Sequence, residues 1–209
     1  MSNNNDFFQL WDDLHGDVRQ ALDAVSNEDS QYNRRTAIRA IFAAIEGVAF
    51  MLKDHALGSA DNSPGLYSVA ELAMLRDEAY TLKDNGTAHT RTTYPATEAN
   101  LRFAIHMYAR GIGVTTSFDA NGTEWQGFRD AIKVRNRVTH PKMSPDYTVS
   151  ATEIATARAT YFWFIRVVMT DLFNAVPAFQ SLLQQVQAMA GQVRKEVSAQ
   201  PSADARPGN

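Results

Sequence analysis

Residues 123–142 read TEWQGFRDAIKVRNRVTHPK, a pattern that predicts an amphipathic helix ending at a proline. Its apolar residues recur at helical spacing on two sides, with Trp125, Phe128 and Ile132 on one side and Val134 and Val138 on the other. Two apolar sides predict that neighbouring helices cover this helix from two directions. Because Pro141 disfavours a helical conformation at the residue before it, we expect the helix to end near His140.

Polar residues continue the first apolar stripe towards the end of this helix. They are Arg135, Asn136, Thr139 and His140. Placing a cation and an imidazole towards a packed region costs desolvation unless a partner or a ligand satisfies them. This arrangement indicates a binding or catalytic site. The alternative is structural, because cationic side chains near a helix C-terminus also cap carbonyls or pair with a carboxylate.

The pattern Arg135-Asn136-x-x-x-His140 resembles the R-x4-6-H motif of the HEPN superfamily, in which a polar residue commonly follows the arginine. The specific match covers residues 135–140, at the late helix where the family carries it. Many HEPN proteins are metal-independent endoribonucleases, and others are catalytically silent partners in toxin-antitoxin and phage-defence systems. Some HEPN toxins carry a tyrosine two residues after the histidine, where this chain has Lys142.

The resemblance implies an all-α, HEPN-like antiparallel bundle that forms a homodimer, with two motifs in one cleft acting on single-stranded RNA. Arg135 would contact the phosphate as a permanently charged fork, and His140 would transfer protons, since histidine is the side chain that ordinarily titrates near neutral pH. Asn136 would hold the substrate or orient the histidine. Arg137 and Lys142 would be secondary phosphate contacts. No metal and no cofactor is implied.

Two further residues are candidates for the same site. Glu46 lies within an apolar helical stretch, so it is expected to be partly buried and to need a cationic partner. Arg135 is one candidate partner, in which case Glu46 would orient the guanidinium; an ordinary pair with Arg39 is the other. Tyr147 follows the motif in a short loop, where it could stack on a base, bind a phosphate or simply pack the loop onto the bundle.

The rest of the chain predicts a bundle of about five to six helices. The expected helices span approximately residues 6–25, 31–57, 68–83, 97–111, 123–140 and 150–189. Capping-box patterns begin at Ser68, Thr123 and Ser150, and a threonine-rich loop is expected up to Pro95. We predict a single domain over residues 1–189 and, from its polar composition, a disordered tail over residues 190–209.

Composition narrows the functional class. A chain of 209 residues that is 44% hydrophobic and 21% charged can bury a substantial core. Because it has no cysteine and no signal-peptide pattern in residues 1–6, a cytoplasmic protein without thiolate metal sites is expected. Its apolar stretches are too short to span a membrane. The net charge of −3 argues against broad nucleic-acid binding, whereas the basic run over residues 129–142 suits a ligand held at a few phosphates.

Three hypotheses remain open from the sequence. The first is a metal-independent endoribonuclease that uses Arg135 and His140. The second is a noncatalytic HEPN-like interaction module, such as a subunit that binds an antitoxin or another defence protein. The third is an unrelated helical bundle in which the segment from Arg135 to His140 is structural.

Overall fold

The computed structural model describes residues 4–116 and 118–168, and side chains from residue 9 onwards within those ranges. These residues form a helical bundle, as the periodicity predicted, with one small hairpin that it did not predict. The elements are α1 (Asn4–Asn27), α2 (Gln31–Asn62), α3 (Val69–Leu75), β1 (Glu78–Leu82), β2 (Ala88–Thr92), α4 (Thr97–Gly111), α5 (Thr123–Thr139), a 3₁₀ turn (Ser144–Tyr147) and α6 (Ala151–Arg166).

Helix α2 is the centre of the bundle and packs against α1, α4, α5 and α6. Its buried stripe repeats every three to four residues, from Ile38 through Ile41, Phe42, Ile45 and Val48 to Leu52. Gly47 lets α1 approach closely, because a Cβ at this position would lie 2.7 Å from the Leu14 Cδ1 atom. Helix α2 extends to Asn62, five residues beyond the predicted end at Leu57.

Helices α5 and α6 close the bundle around an aromatic cluster. The ring centroids of Trp125 and Phe128 are 4.8 Å apart, and those of Phe128 and Trp163 are 6.3 Å apart. Helix α6 begins with the predicted capping box, in which Ser150 and Glu153 exchange side-chain to backbone hydrogen bonds. The predicted capping box at Thr123 is wrong, because Gly122 is the N-cap and the Thr123 hydroxyl donates to the Glu124 carboxylate instead.

The region after α3 differs most from the sequence prediction. The capping box at Ser68 is present, but α3 ends at Leu75 instead of near Lys83. Asp77 has a positive φ of 54°, a left-handed conformation that cannot continue an α-helix. Beyond it, β1 and β2 pair antiparallel where a helix end and a threonine-rich loop were expected. Asp84, Asn85 and Gly86 supply the turn, with Gly86 at a φ of 77°.

A buried cation fixes the base of this hairpin to the bundle. Lys53 on α2 is only 2% exposed, and its ammonium group pairs with the Asp77 carboxylate. It also donates to the Asn100 amide oxygen on α4 at 3.2 Å. Because a buried charge needs a partner, this contact ties α2, α4 and the start of the hairpin together.

Two sequence predictions lie outside the described residues, namely the helix beyond residue 168 and the tail over residues 190–209. Within the described ranges, none of the helices has the length and apolarity that crossing a membrane requires.

Candidate functional site

The C-terminal end of α5 borders an open groove of about 580 Å³. It is lined by Asn136, Arg137, His140, Lys142 and Asp146. His140 is the C-cap residue, and its backbone N–H donates to the Asn136 carbonyl at 2.9 Å. The His140 side chain is exposed and has no hydrogen-bond or ion-pair partner in the part of the chain that the structure describes. It is therefore accessible to a ligand in the groove.

Arg135 leaves α5 in a different direction from His140. Five residues turn a helix by about 140° beyond one full turn, whereas four residues bring Asn136 and His140 to the same side. Arg135 is half-buried towards α2, where its guanidinium pairs with the Glu46 carboxylate and lies 5.8 Å from the centroid of the Phe42 ring. Glu46 also accepts a hydrogen bond of 3.0 Å from the Thr97 hydroxyl. The structure thus shows the Glu46–Arg135 pair that the sequence suggested.

Asn136 links this ion pair to the groove. The Arg135 guanidinium donates to the Asn136 side-chain oxygen at 3.0 Å, and Asn136 itself lines the groove beside His140. The predicted continuous polar stripe is therefore divided. Asn136, Thr139 and His140 are exposed, Arg135 is half-buried, and the buried positions beyond Phe128 are Ala131, Val134 and Val138.

Arg137 holds the segment after α5 in place. One of its terminal nitrogens donates to the carbonyls of Pro145, Asp146 and Thr148 at 3.3, 3.3 and 2.6 Å, and the other pairs with Glu153 on α6 at 2.6 Å. Burial of Glu153 opposes ionisation, but the Ser150 N–H and the Arg137 charge still hold the pKa of this carboxyl below its ordinary value. Because these groups occupy its guanidinium, Arg137 is better placed to shape the groove than to bind substrate.

The 3₁₀ turn presents two side chains in opposite directions. Asp146 faces the groove and accepts the backbone N–H groups of Lys142 and Met143 at 2.9 and 3.1 Å. Tyr147 faces α2, where the Arg35 guanidinium carbon lies 4.1 Å from the centroid of its ring. Arg39 donates to the Tyr147 hydroxyl at 3.1 Å, and this hydrogen bond together with the Arg39 charge lowers the pKa of Tyr147.

Comparison of the chain with family models, curated proteins and solved structures finds no match. Across the described ranges, no group of three or more histidine and carboxylate side chains is arranged to hold a metal ion. The groove offers the His140 imidazole, the Asn136 amide and the Lys142 ammonium, which are groups that bind phosphate oxygens, beside the Asp146 carboxylate, which accepts two backbone N–H groups.

The sequence interpretation considered Arg39 only as an alternative partner of Glu46 and gave Arg35 no role in the site. Their spacing of four residues was the available signal. Like charges at this spacing repel on an isolated helix, and no carboxylate lies three or four positions away from either arginine. Such an uncompensated pair indicates a contact outside its own helix, which the structure shows to be Tyr147.

Proposed function

We propose that this protein is a metal-independent endoribonuclease, HEPN-like in its motif, that cleaves single-stranded RNA in the cytoplasm as a homodimer. One observation carries the proposal: the His140 imidazole is exposed, without a partner in the described residues, in a groove that it shares with Asn136 and the Lys142 segment. An accessible imidazole beside hydrogen-bond donors and cations is what phosphodiester cleavage requires.

In the proposed reaction, the 2′-hydroxyl of RNA attacks the adjacent phosphorus. A bond forms between O2′ and phosphorus while the bond from phosphorus to O5′ breaks, so the products are a 2′,3′-cyclic phosphate and a 5′-hydroxyl. One proton leaves O2′ and another reaches O5′. Because each chain carries one motif histidine, a homodimer would supply one imidazole for each transfer. Asn136 and Lys142 would contact the phosphate oxygens. Arg135 would act from the edge of the groove, held by Glu46.

The proposal is tested by incubating purified protein with single-stranded RNA in the presence of EDTA. We expect cleavage that leaves 2′,3′-cyclic phosphate ends and that falls by about 10²- to 10⁴-fold in His140→Ala, the usual range for loss of an acid or base group. His89→Ala is the matched control, because His89 is an exposed histidine on the hairpin, in β2. Intact RNA over a range of salt and pH, with the protein folded, would contradict the proposal.

A second candidate function is a noncatalytic interaction module that binds an antitoxin or another defence protein. One observation favours it: the Arg135 guanidinium already has Glu46, Asn136 and the Phe42 ring as partners. A guanidinium that is satisfied within its own fold can organise a surface without contacting RNA. In this case the motif would stabilise the interface, and RNA would remain intact.

Glu46→Gln separates the two functions, because an amide oxygen can still accept a hydrogen bond from Arg135 but carries no charge. For the ribonuclease, we expect cleavage to fall in Glu46→Gln by a smaller factor than in Arg135→Ala, with the fold retained. For the module, both variants would lower the free energy of unfolding, by about 1 kcal/mol for this partly exposed pair, without any cleavage to lose. Unchanged activity and unchanged stability in Glu46→Gln would exclude an orienting role for Glu46.

A further inference from the structure

We propose that Arg35 and Arg39 on α2 form a second phosphate-binding subsite, which takes a further phosphate of the RNA strand bound at His140. The inference rests on the proposed function, since it adds a second contact for the same RNA strand on the α2 side of the 3₁₀ turn, whose Asp146 lines the groove. It also defines the substrate class as an oligonucleotide with at least two phosphates.

Contacts with Val138, near the end of α5, and with Tyr147, in the 3₁₀ turn, fix the two arginines in position. Arg35 donates to the Tyr147 carbonyl at 3.2 Å and lies over the Tyr147 ring. Arg39 donates to the Tyr147 hydroxyl at 3.1 Å and to the Val138 carbonyl at 3.4 Å. Val138 is two residues before His140, and Tyr147 directly follows the groove residue Asp146. The arginine pair therefore contacts the chain both just before His140 and just after Asp146.

The charge of the pair is not neutralised within the described part of the chain. Other arginines nearby have carboxylate partners, in the pairs Arg34–Asp29, Arg135–Glu46 and Arg137–Glu153. Arg35 and Arg39 have none among the described residues; their acceptors are two carbonyls and a phenol. Arg39 is exposed and Arg35 half-exposed, so both can reach an anion without crossing the core.

The arrangement suits a phosphate group. A guanidinium offers five donors in a planar fork, and the contacts to Tyr147 and Val138 use only some of them. The ring under Arg35 and the hydroxyl that accepts from Arg39 limit the freedom of both side chains, which lowers the entropy lost when an anion binds. Two neighbouring cations without a carboxylate between them also repel each other, and a bound phosphate relieves that repulsion.

The binding test uses a fluorescein-labelled oligodeoxythymidylate of roughly ten nucleotides, which has the phosphates of the substrate but no 2′-hydroxyl to react. We expect Arg35→Gln/Arg39→Gln to bind it about tenfold more weakly by fluorescence anisotropy, as when charge-assisted hydrogen bonds are lost. The slope of log affinity against log salt should fall by about 0.7 for each phosphate contact removed. Arg91→Gln/Arg102→Gln, which removes two exposed arginines of the hairpin and α4, is the matched control and should keep the wild-type slope.

The cleavage test separates the subsite from the reaction itself. With oligouridylate, kcat/KM of the wild type should exceed that with the dinucleotide UpU, because UpU has only the reacting phosphate. Arg35→Gln/Arg39→Gln should lose this advantage of the longer substrate and cleave UpU at the wild-type rate. Arg35→Lys/Arg39→Lys keeps both charges, so in the binding test it should recover the wild-type salt slope. Circular dichroism melting identifies any variant that fails to fold.

The outcomes distinguish the two proposals. If the glutamine variant binds as tightly as the wild type, with the same salt slope and the same preference for long RNA, the subsite is overturned and the ribonuclease stands. If the wild type binds the oligonucleotide through these arginines but never cleaves RNA, the subsite stands and the ribonuclease is overturned. If the wild type does not bind the oligonucleotide, the subsite is overturned as well.

Discussion

At the scale of single residues, the His15 ring is a group whose protonation the fold opposes. Its Nδ1–H donates to the Trp11 carbonyl at 2.7 Å, and its ring stacks on the Trp11 ring with centroids 3.9 Å apart. Its Nε2 atom is buried and has no hydrogen-bond partner among the described residues. Burial therefore lowers the pKa of His15 from the ordinary value of 6.5, and the neutral ring is the form that fits.

This burial predicts a dependence of stability on pH. Above the unfolded pKa of 6.5, His15 is neutral in both states and its contribution to stability is complete. As the pH falls below that value, the unfolded chain takes up a proton that the folded chain does not, so the free energy of unfolding decreases. We expect this decrease between about pH 7.5 and about pH 5.5 to be smaller in His15→Gln, measured by urea denaturation.

A second histidine, the half-buried His55, should contribute to the same dependence of stability on pH. Burial lowers its pKa as well, so His15→Gln/His55→Gln should show a still weaker dependence on pH than the single variant. If the wild type and His15→Gln lose the same free energy of unfolding over this range, the neutral burial of His15 is contradicted.

Some side-chain contacts of the candidate site could be predicted from the sequence, and others could not. A lone carboxylate in an apolar helical stretch needs a cation, so the sequence predicted a cationic partner for Glu46 and left Arg135 and Arg39 open; the structure shows Arg135. The contact between Arg39 and Tyr147 could not be predicted, because no pattern in the sequence identifies Tyr147 as the partner of this arginine. Periodicity specifies which face of a helix is covered, but it does not specify which loop covers that face.

At the scale of elements, the 3₁₀ turn after α5 depends on Arg137. This side chain donates to three carbonyls of the turn region and pairs with Glu153 on α6, so it holds the turn, which carries the groove residue Asp146, against the bundle. In Arg137→Met we expect faster hydrogen exchange of the amides of residues 142–149, together with a loss of about 1 kcal/mol, since the ion pair is partly exposed.

Lys133→Met is the matched control for this variant, because Lys133 is a cation on the same helix. Among the described residues its only ion pair is the exposed one with Asp130. Its exchange pattern over residues 142–149 should be that of the wild type. Equal exchange in Arg137→Met and in the control would show that the turn is held by other contacts.

The helices were predictable as elements, whereas the hairpin was not. Strong apolar periodicity and the boxes at Ser68 and Ser150 identified the helices and two of their starts. Strands β1 and β2 are only five residues long and nearly all exposed, so they lack an alternating apolar face. The signal that was present is Asn85-Gly86 between two segments rich in threonine and tyrosine, a dipeptide typical of tight hairpin turns.

At the scale of the whole molecule, the hairpin and the bundle are joined mainly through Asp77. Tyr80 and Leu82 are 58% and 76% exposed, and every residue of β2 is exposed. Little apolar area is therefore buried between the strands and the helices, whereas the Asp77 carboxylate neutralises the buried Lys53 ammonium. The stability of the bundle should depend on this ion pair and hardly at all on the strands.

The prediction is tested with two variants. In the first, residues 79–91 are replaced by Gly-Ser-Gly, which can span the distance because Glu78 and Thr92 are paired across the ladder at about 5 Å. We expect its free energy of unfolding in urea to change by less than about 1 kcal/mol, since exposed residues contribute little.

In the second variant, Asp77→Asn, we expect a loss of about 1 to 3 kcal/mol in the free energy of unfolding. This loss is smaller than for a fully buried pair because Asp77 is 30% exposed. Asparagine tolerates the left-handed backbone at this position, so the change isolates the charge. If the shortened variant is the less stable of the two, the hairpin contributes to the packing of the bundle, and the view of it as an appendage is wrong.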